Sequence, residues 1–221
     1  MSRVRTLALA AAIGTLALGA YLGVLAAAPA QEAADGQFVH LRLDAREYSL
    51  GRSDAPLTML EFTDYQCPFC RRFQAETWPL LKRNWIDTGK LRFIVRDLPL
   101  EIHSAARPAA EAAHCAGEQG KFWEMHHSLL SGDDPLASGG IDRRAAQIGL
   151  DGARLHACVA ANRYESAIAR NIAAADALQI HGTPAFVLGR TTGDALEGQL
   201  VTGAQPYEDF DAALRQLLRA H

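Results

Sequence analysis

The sequence predicts an α/β fold built in two halves with helices between them. Three observations carry the prediction. Residues 57–96 read as strand, helix, strand. Residues 105–178 read as a run of helices with no strand among them. Residues 185–219 read as two short strands followed by an amphipathic helix. The order is therefore βαβ, a helical insertion over about 99–178, then ββα, within a domain spanning 48–221.

Each element has a local reason. Residues 31–47 are polar and alanine-rich and read as a linker, with Phe38 to Leu43 able to form a short edge strand. Leu57 to Thr63 places apolar and β-branched residues over seven positions, the composition of a strand. From Pro68 the period turns helical, with Phe69, Phe73, Thr77, Leu80 and Leu81 on one side, ending near Gly89. Leu91 to Arg96 is a second strand. Helices are expected over Ala105–Ala116, Lys121–Leu130, Arg143–Gly149, Gly152–Ala160 and Tyr164–Leu178, divided by Gly-, Asp- and Pro-containing breaks. Ala185–Leu188 and Gln199–Thr202 are short strands, and Tyr207–Arg219 closes the chain as a helix.

The first thirty residues differ from the rest. Arg3 and Arg5 precede an uncharged stretch from Thr6 to Gln31, and Ala28-Pro29-Ala30 has the small-x-small form of a cleavage site. Residues 1–30 therefore read as a signal peptide or an N-terminal membrane anchor. The 23 residues from Thr6 to Ala28 could span a bilayer, which needs roughly 20. Either reading puts the rest of the chain in a periplasmic or other extracytoplasmic setting. Of the 221 residues, 49% are hydrophobic and 21% charged, as in ordinary globular proteins. The net charge is −3, and −5 without residues 1–30, which hold two arginines and no acid. No basic surface for nucleic acid follows, and no phosphate-loop, dinucleotide or HExxH motif is present.

Outside the cytoplasm cysteines tend to pair. The four here are one close couple, Cys67 and Cys70, and one distant couple, Cys115 and Cys158. In Cys67-Pro68-Phe69-Cys70 the first sulfur sits where a helix begins. Unpaired N–H groups and the positive end of the helix dipole favour a thiolate there. Pro68 is tolerated because the first turn needs no N–H from it. Such a thiol can fall from about 8.5 to between roughly 3.5 and 7.5. The rival readings are half a zinc site, for which His126 and His127 could be imagined as partners, or an inert disulfide. Phe69 lies between the two sulfurs and should influence their potential. A Cys115–Cys158 bridge would close a loop of about 44 residues, worth about 4 kcal/mol by chain entropy. It reads as a structural staple, with a second redox pair as the alternative. Glu61, six residues before Cys67 in an apolar strand, would be partly buried and its carboxyl raised; an exposed strand acid is the alternative. His103 and His114 read as packed or solvated, whereas His181 beside Gly182 could line a cleft.

Four motifs resemble one family in the right order. Glu61-Phe-Thr-Asp-Tyr-Gln-Cys-Pro-Phe-Cys70 looks like the active-site signature of DsbA-like thiol:disulfide oxidoreductases, the exported bacterial type. Gly51-Arg-Ser-Asp-Ala-Pro-Leu57, Gly120-Lys-Phe-Trp-Glu-Met-His126 and Gly182-Thr-Pro-Ala-Phe186 fit as well. The resemblance covers about residues 48–218. It implies a thioredoxin fold with the helical insertion between its halves, and a cis peptide before Pro184 lying against the cysteines. It implies that an extended substrate pairs with the exposed backbone of Thr183 at Pro184. Pro68, Phe69 and His181 are further candidates for the substrate-binding surface. It implies that Glu61 exchanges protons with the dithiol.

The expected activity is introduction of disulfides into exported proteins by exchange at Cys67 and Cys70. The redox-active disulfide itself is the only cofactor expected, with no metal. The expected partners are exported proteins with free or mispaired cysteines and a membrane redox protein that resets the dithiol. The chain is expected to act as a monomer. A reductase or isomerase using the same site is one rival. A non-catalytic metal-binding or protein-docking module is another; it predicts binding that survives loss of both cysteines.

Overall fold

The computed structural model describes residues 36–132, 136 and 139–220. The segment read as a signal or anchor lies outside them. No helix among the described residues is long and apolar enough to cross a membrane.

Six strands form one sheet in the order β1-β6-β5-β3-β4-β2. They are β1 (Phe38–Arg42), β2 (Ser49–Leu50), β3 (Leu57–Thr63), β4 (Leu91–Asp97), β5 (Ala185–Thr192) and β6 (Ala195–Thr202). β3 and β4 are parallel, joined by a helical crossover, and every other pair is antiparallel. β3 is therefore central, and all seven of its residues are buried. Residues 38–42 pair with β6, so that part of the stretch read as a linker is the outer strand of the sheet.

Alternation along the strands divides two apolar layers. Leu57, Met59, Phe93, Val95, Phe186 and Leu188 face one way and Leu60, Phe62, Ile94, Val187, Leu196 and Leu200 the other. Glu61 shares the parity of Met59 and so points into the first layer. That layer holds Cys67, Cys70, Phe73 and most of the insertion, together with Phe210 and Leu214 of the last helix, while Ala175 packs in the other layer.

The crossover was expected as one regular helix, and the structure interrupts it. It runs through α1 (Pro68–Arg72), a wide π turn (Phe73–Thr77), α2 (Trp78–Leu81) and a second wide turn (Lys82–Ile86). Trp78 N–H bonds to the Phe73 carbonyl five residues back. The widening comes one residue before Pro79, which has no N–H to continue a four-residue ladder.

Between β4 and β5 lie α3 (Ala106–Gly117), α4 (Phe122–Leu130), α5 (Gly140–Gln147), α6 (Gly152–Ala160) and α7 (Glu165–Ala177). α5 starts three residues before the expected Arg143, after Gly139 at φ +81°. Ser131 and Gly132, after α4, are exposed. A disulfide joins Cys115 of α3 to Cys158 of α6. β5 and β6 are each longer than expected. Gly193 (φ +62°) opens their two-residue turn. Gly189 faces Gly198 so closely that a Cβ on Gly198 would lie 2.2 Å from the Leu188 carbonyl oxygen. α8 (Tyr207–Arg219) ends the described chain.

Candidate active site

The site forms where β3 ends and α1 begins. Cys67 is the residue before α1 and has extended backbone angles, while Pro68 occupies the first helical turn. Cys67 is 3% exposed and Cys70 fully buried, and both are free thiols. Pro68 and Phe69 stand outside, Phe69 being 52% exposed with the Arg72 guanidinium 5.1 Å from its ring centre. Thr183–Pro184 is a cis peptide, and the Cys67 thiol donates to the Thr183 carbonyl oxygen at 3.2 Å. Two loops 116 residues apart in sequence thus meet at one sulfur.

The two sulfurs are electrostatically unequal. Hydrogen bonding from the Cys70 thiol, from Thr183 and from the N–H groups of Cys70 and Phe69 lowers Cys67 to about 5, outweighing burial. The Thr183 hydroxyl is buried beside this sulfur and has no hydrogen-bond partner of its own. Cys70 moves the opposite way: burial first, then the Cys67 sulfur and Glu61, push it well above an ordinary thiol. One thiolate shared by two sulfurs therefore resides on Cys67.

Glu61 pairs with Val95 on one side and Phe186 on the other. It is 1% exposed, and its Oε1 has no hydrogen-bond partner. Burial raises its carboxyl to about 8, with the Cys67 charge adding to the effect. The group is neutral near pH 7 and can hold or release one proton there.

The sequence reading assigned no role to Asp64 and treated His103 as packed or solvated; the structure brings both into the site. Asp64 Oδ1 accepts from the N–H groups of Gln66 (2.7 Å) and Cys67 (3.1 Å). Its Oδ2 accepts from Leu100 N–H (2.8 Å) and His103 Nδ1 (2.8 Å). Its own N–H points at Cys70 Sγ, 3.5 Å away. Gln66 Oε1 accepts from Ala105 N–H at 2.8 Å. The local signal was an aspartate four residues before a helix start, where a side chain caps the turn. Its partners lie up to 39 residues away in sequence, where no local pattern reaches.

The remaining candidates divide. His181, Thr183 and Pro184 line a groove of about 320 Å³ with Thr202 and Gly203. Pro68 lines a second groove of about 690 Å³ with Gln66, Arg71, Arg72 and Leu130. His126 Nδ1 bonds the Tyr65 hydroxyl and His127 Nδ1 bonds Gln74. Among the described residues no group of three or more His, Cys, Asp or Glu is arranged to hold a metal. Cys115 and Cys158 are bonded to each other, away from this set.

Residues 44–216 match the family model described as thioredoxin. The chain belongs to the thioredoxin family. A thioredoxin-like oxidoreductase from Silicibacter pomeroyi DSS-3 superposes with a TM-score of 0.69 at 29% identity, over 80% of this chain and 95% of that one. Wolbachia pipientis alpha-DsbA1 superposes with a TM-score of 0.70 at 23% identity, over 79% and 92%, a likeness of fold. Among curated relatives, the Na(+)/H(+) antiporter NhaA 3 of Salinispora tropica is 39% identical over 142 residues. That match covers 64% of this thioredoxin-family chain and 21% of the antiporter. An NhaA antiporter of Herminiimonas arsenicoxydans is 31% identical over 69% of this chain and 24% of its own length. The chain thus spans a fifth to a quarter of the length of these curated relatives, 21% and 24%.

Proposed function

We propose that this chain is an extracytoplasmic thiol:disulfide oxidoreductase that introduces disulfides into exported proteins. The observation that carries the reading is the opposite displacement of the two thiols, Cys67 down to about 5 and Cys70 up. A stabilised Cys67 thiolate favours the reduced dithiol, so the oxidised pair draws electrons from a substrate. This favours the oxidase direction over the reductase or isomerase.

The cycle starts from a Cys67–Cys70 disulfide. A substrate thiolate attacks Cys67 Sγ; the Cys67–Cys70 bond breaks, and the electron pair leaves on Cys70. Cys70, the poorer acid, takes a proton, and neutral Glu61 beneath it is the nearby source. The substrate backbone lies along Thr183–Pro184, with Pro68, Phe69 and His181 at the rim. A second substrate thiolate then attacks the substrate sulfur of the mixed disulfide. Cys67 departs as a thiolate, the substrate gains a disulfide, and two electrons remain on the dithiol. A membrane redox partner accepts them and restores the disulfide. No organic cofactor or metal takes part.

The extracytoplasmic setting draws its support from the basic start and uncharged run of residues 1–31. The Cys115–Cys158 pair suits an oxidising compartment as well. The deciding experiment is trapping. In a Cys70→Ala chain the Cys67 thiolate attacks the disulfide of an oxidised protein, the last step run backward, and no Cys70 thiol is left to displace that protein. Exported proteins should accumulate on Cys67, and their absence from the trapped material would overturn the reading. Equilibration against a reference dithiol separates directions: a potential near that of thioredoxin, about −270 mV, would favour the reductase.

A further inference from the structure

We propose that Asp64 and His103 form a positioning pair that sets the charge felt by Cys67 and ties its backbone to the loop 98–105. The inference rests on the thiol-exchange reading above and names residues that act through Cys67 without touching substrate.

The Asp64 carboxylate is divided between two loops. One oxygen takes the N–H groups of Gln66 and Cys67, so it fixes the turn from which the nucleophile leaves β3. The other takes Leu100 N–H and the His103 ring, both on the segment after β4. Leu98 N–H bonds to the Thr63 carbonyl and Ala105 N–H to Gln66 Oε1, so the two loops are laced from end to end. The Asp64 side chain is fully buried and that of His103 is 17% exposed. An acidic side chain is thereby held one hydrogen bond from the Cys67 amide, on the wrong side of the balance for a thiolate. Fixing the backbone with an acid raises Cys67, and the imidazole on the far oxygen offsets part of that charge. The other titratable groups acting on this sulfur are Cys70 on α1 and Glu61 on β3.

The pair predicts opposite shifts from its two members. Asp64→Asn keeps an oxygen for the Gln66 and Cys67 amides and removes the charge. Cys67 should titrate about one unit lower, the low end of what removing a nearby like charge does. The exchange equilibrium should then move about tenfold toward the reduced chain. His103→Ala leaves the carboxylate uncompensated, and Cys67 should titrate higher. The measurement is thiolate absorbance near 240 nm against pH on the full reduced chain, with folding checked by circular dichroism. A role confined to structural support would lower stability in both variants and leave both titrations in place. Shifts in the same direction, or none, overturn the proposal. Should Asp64→Asn not fold, the His103→Ala titration decides alone: a value at or below the parent's overturns it. The titration needs no substrate, so its failure is distinct from failure of the trapping experiment, which bears on the exchange activity itself.

Discussion

Cys67 and Cys70 open α1, whereas Cys115 and Cys158 join α3 to α6, and all four residues are at most 3% exposed. Burial alone therefore does not separate a working pair from a structural one. What separates them is the company each keeps. Cys67 meets helix N–H groups, a threonine and a neighbouring thiol, all of which favour its anion. Cys115 and Cys158 pack in the apolar layer among Ala112, Ala116 and Leu155. The first pair closes a ring across two residues, so opening it releases little chain entropy. The second closes a loop of sequence separation 43, so opening it frees much more.

Four variants sharpen that contrast, the largest effect first. Cys67→Ser should reduce exchange with a dithiol peptide by at least about a thousandfold, measured by the rate of peptide oxidation, because a hydroxyl cannot replace the sulfur. Replacing Cys115 and Cys158 together by Ala should lower stability by about 4 kcal/mol in urea titration. The Cys67 thiolate titration should stay in place. A displaced titration would mean that the two pairs are coupled.

Glu61→Gln should stabilise the fold in a pH-dependent way. The carboxyl rises from 4.5 in the unfolded chain to about 8 in the fold. Its contribution is thus fully present below 4.5 and is lost as pH climbs through about 8. The variant's advantage should grow across that window by up to about 1.4 kcal/mol per pH unit, then level off. Denaturation midpoints at pH 5, 7 and 9 check the slope. The same variant should flatten the pH profile of oxidation if Glu61 supplies the proton. Phe69→Ala should change stability by less than about 0.5 kcal/mol, since the ring is half exposed. It should still move the equilibrium with a reference dithiol, which a site defined by the two sulfurs alone would not allow.

Strand β3 and the cysteine turn were legible because their cues are local: an apolar run, then Pro68 at a helix start. Pro184 was legible through the four-motif resemblance. Other features depend on partners distant in sequence. β2 has only two residues and exists through pairing with β4. β5 and β6 were read short because Gly189 and Gly198 lack strand propensity, yet their bareness lets the two backbones close. The wide turns near Pro79 break the 3.6-residue period that a sequence scan follows. Asp64 shows an Asx-turn position, but the carboxylate's second oxygen finds its partners only after β4 returns beside β3.

The bridge between α3 and α6 encloses Ser131 and Gly132, the exposed residues after α4. A protease cutting there would sever the backbone without separating the pieces. The nicked chain would run as one band on a non-reducing gel and as two after reduction. The fragment carrying Cys67 would stay covalently attached to the fragment carrying Pro184, so both halves of the site would remain on one molecule after cleavage.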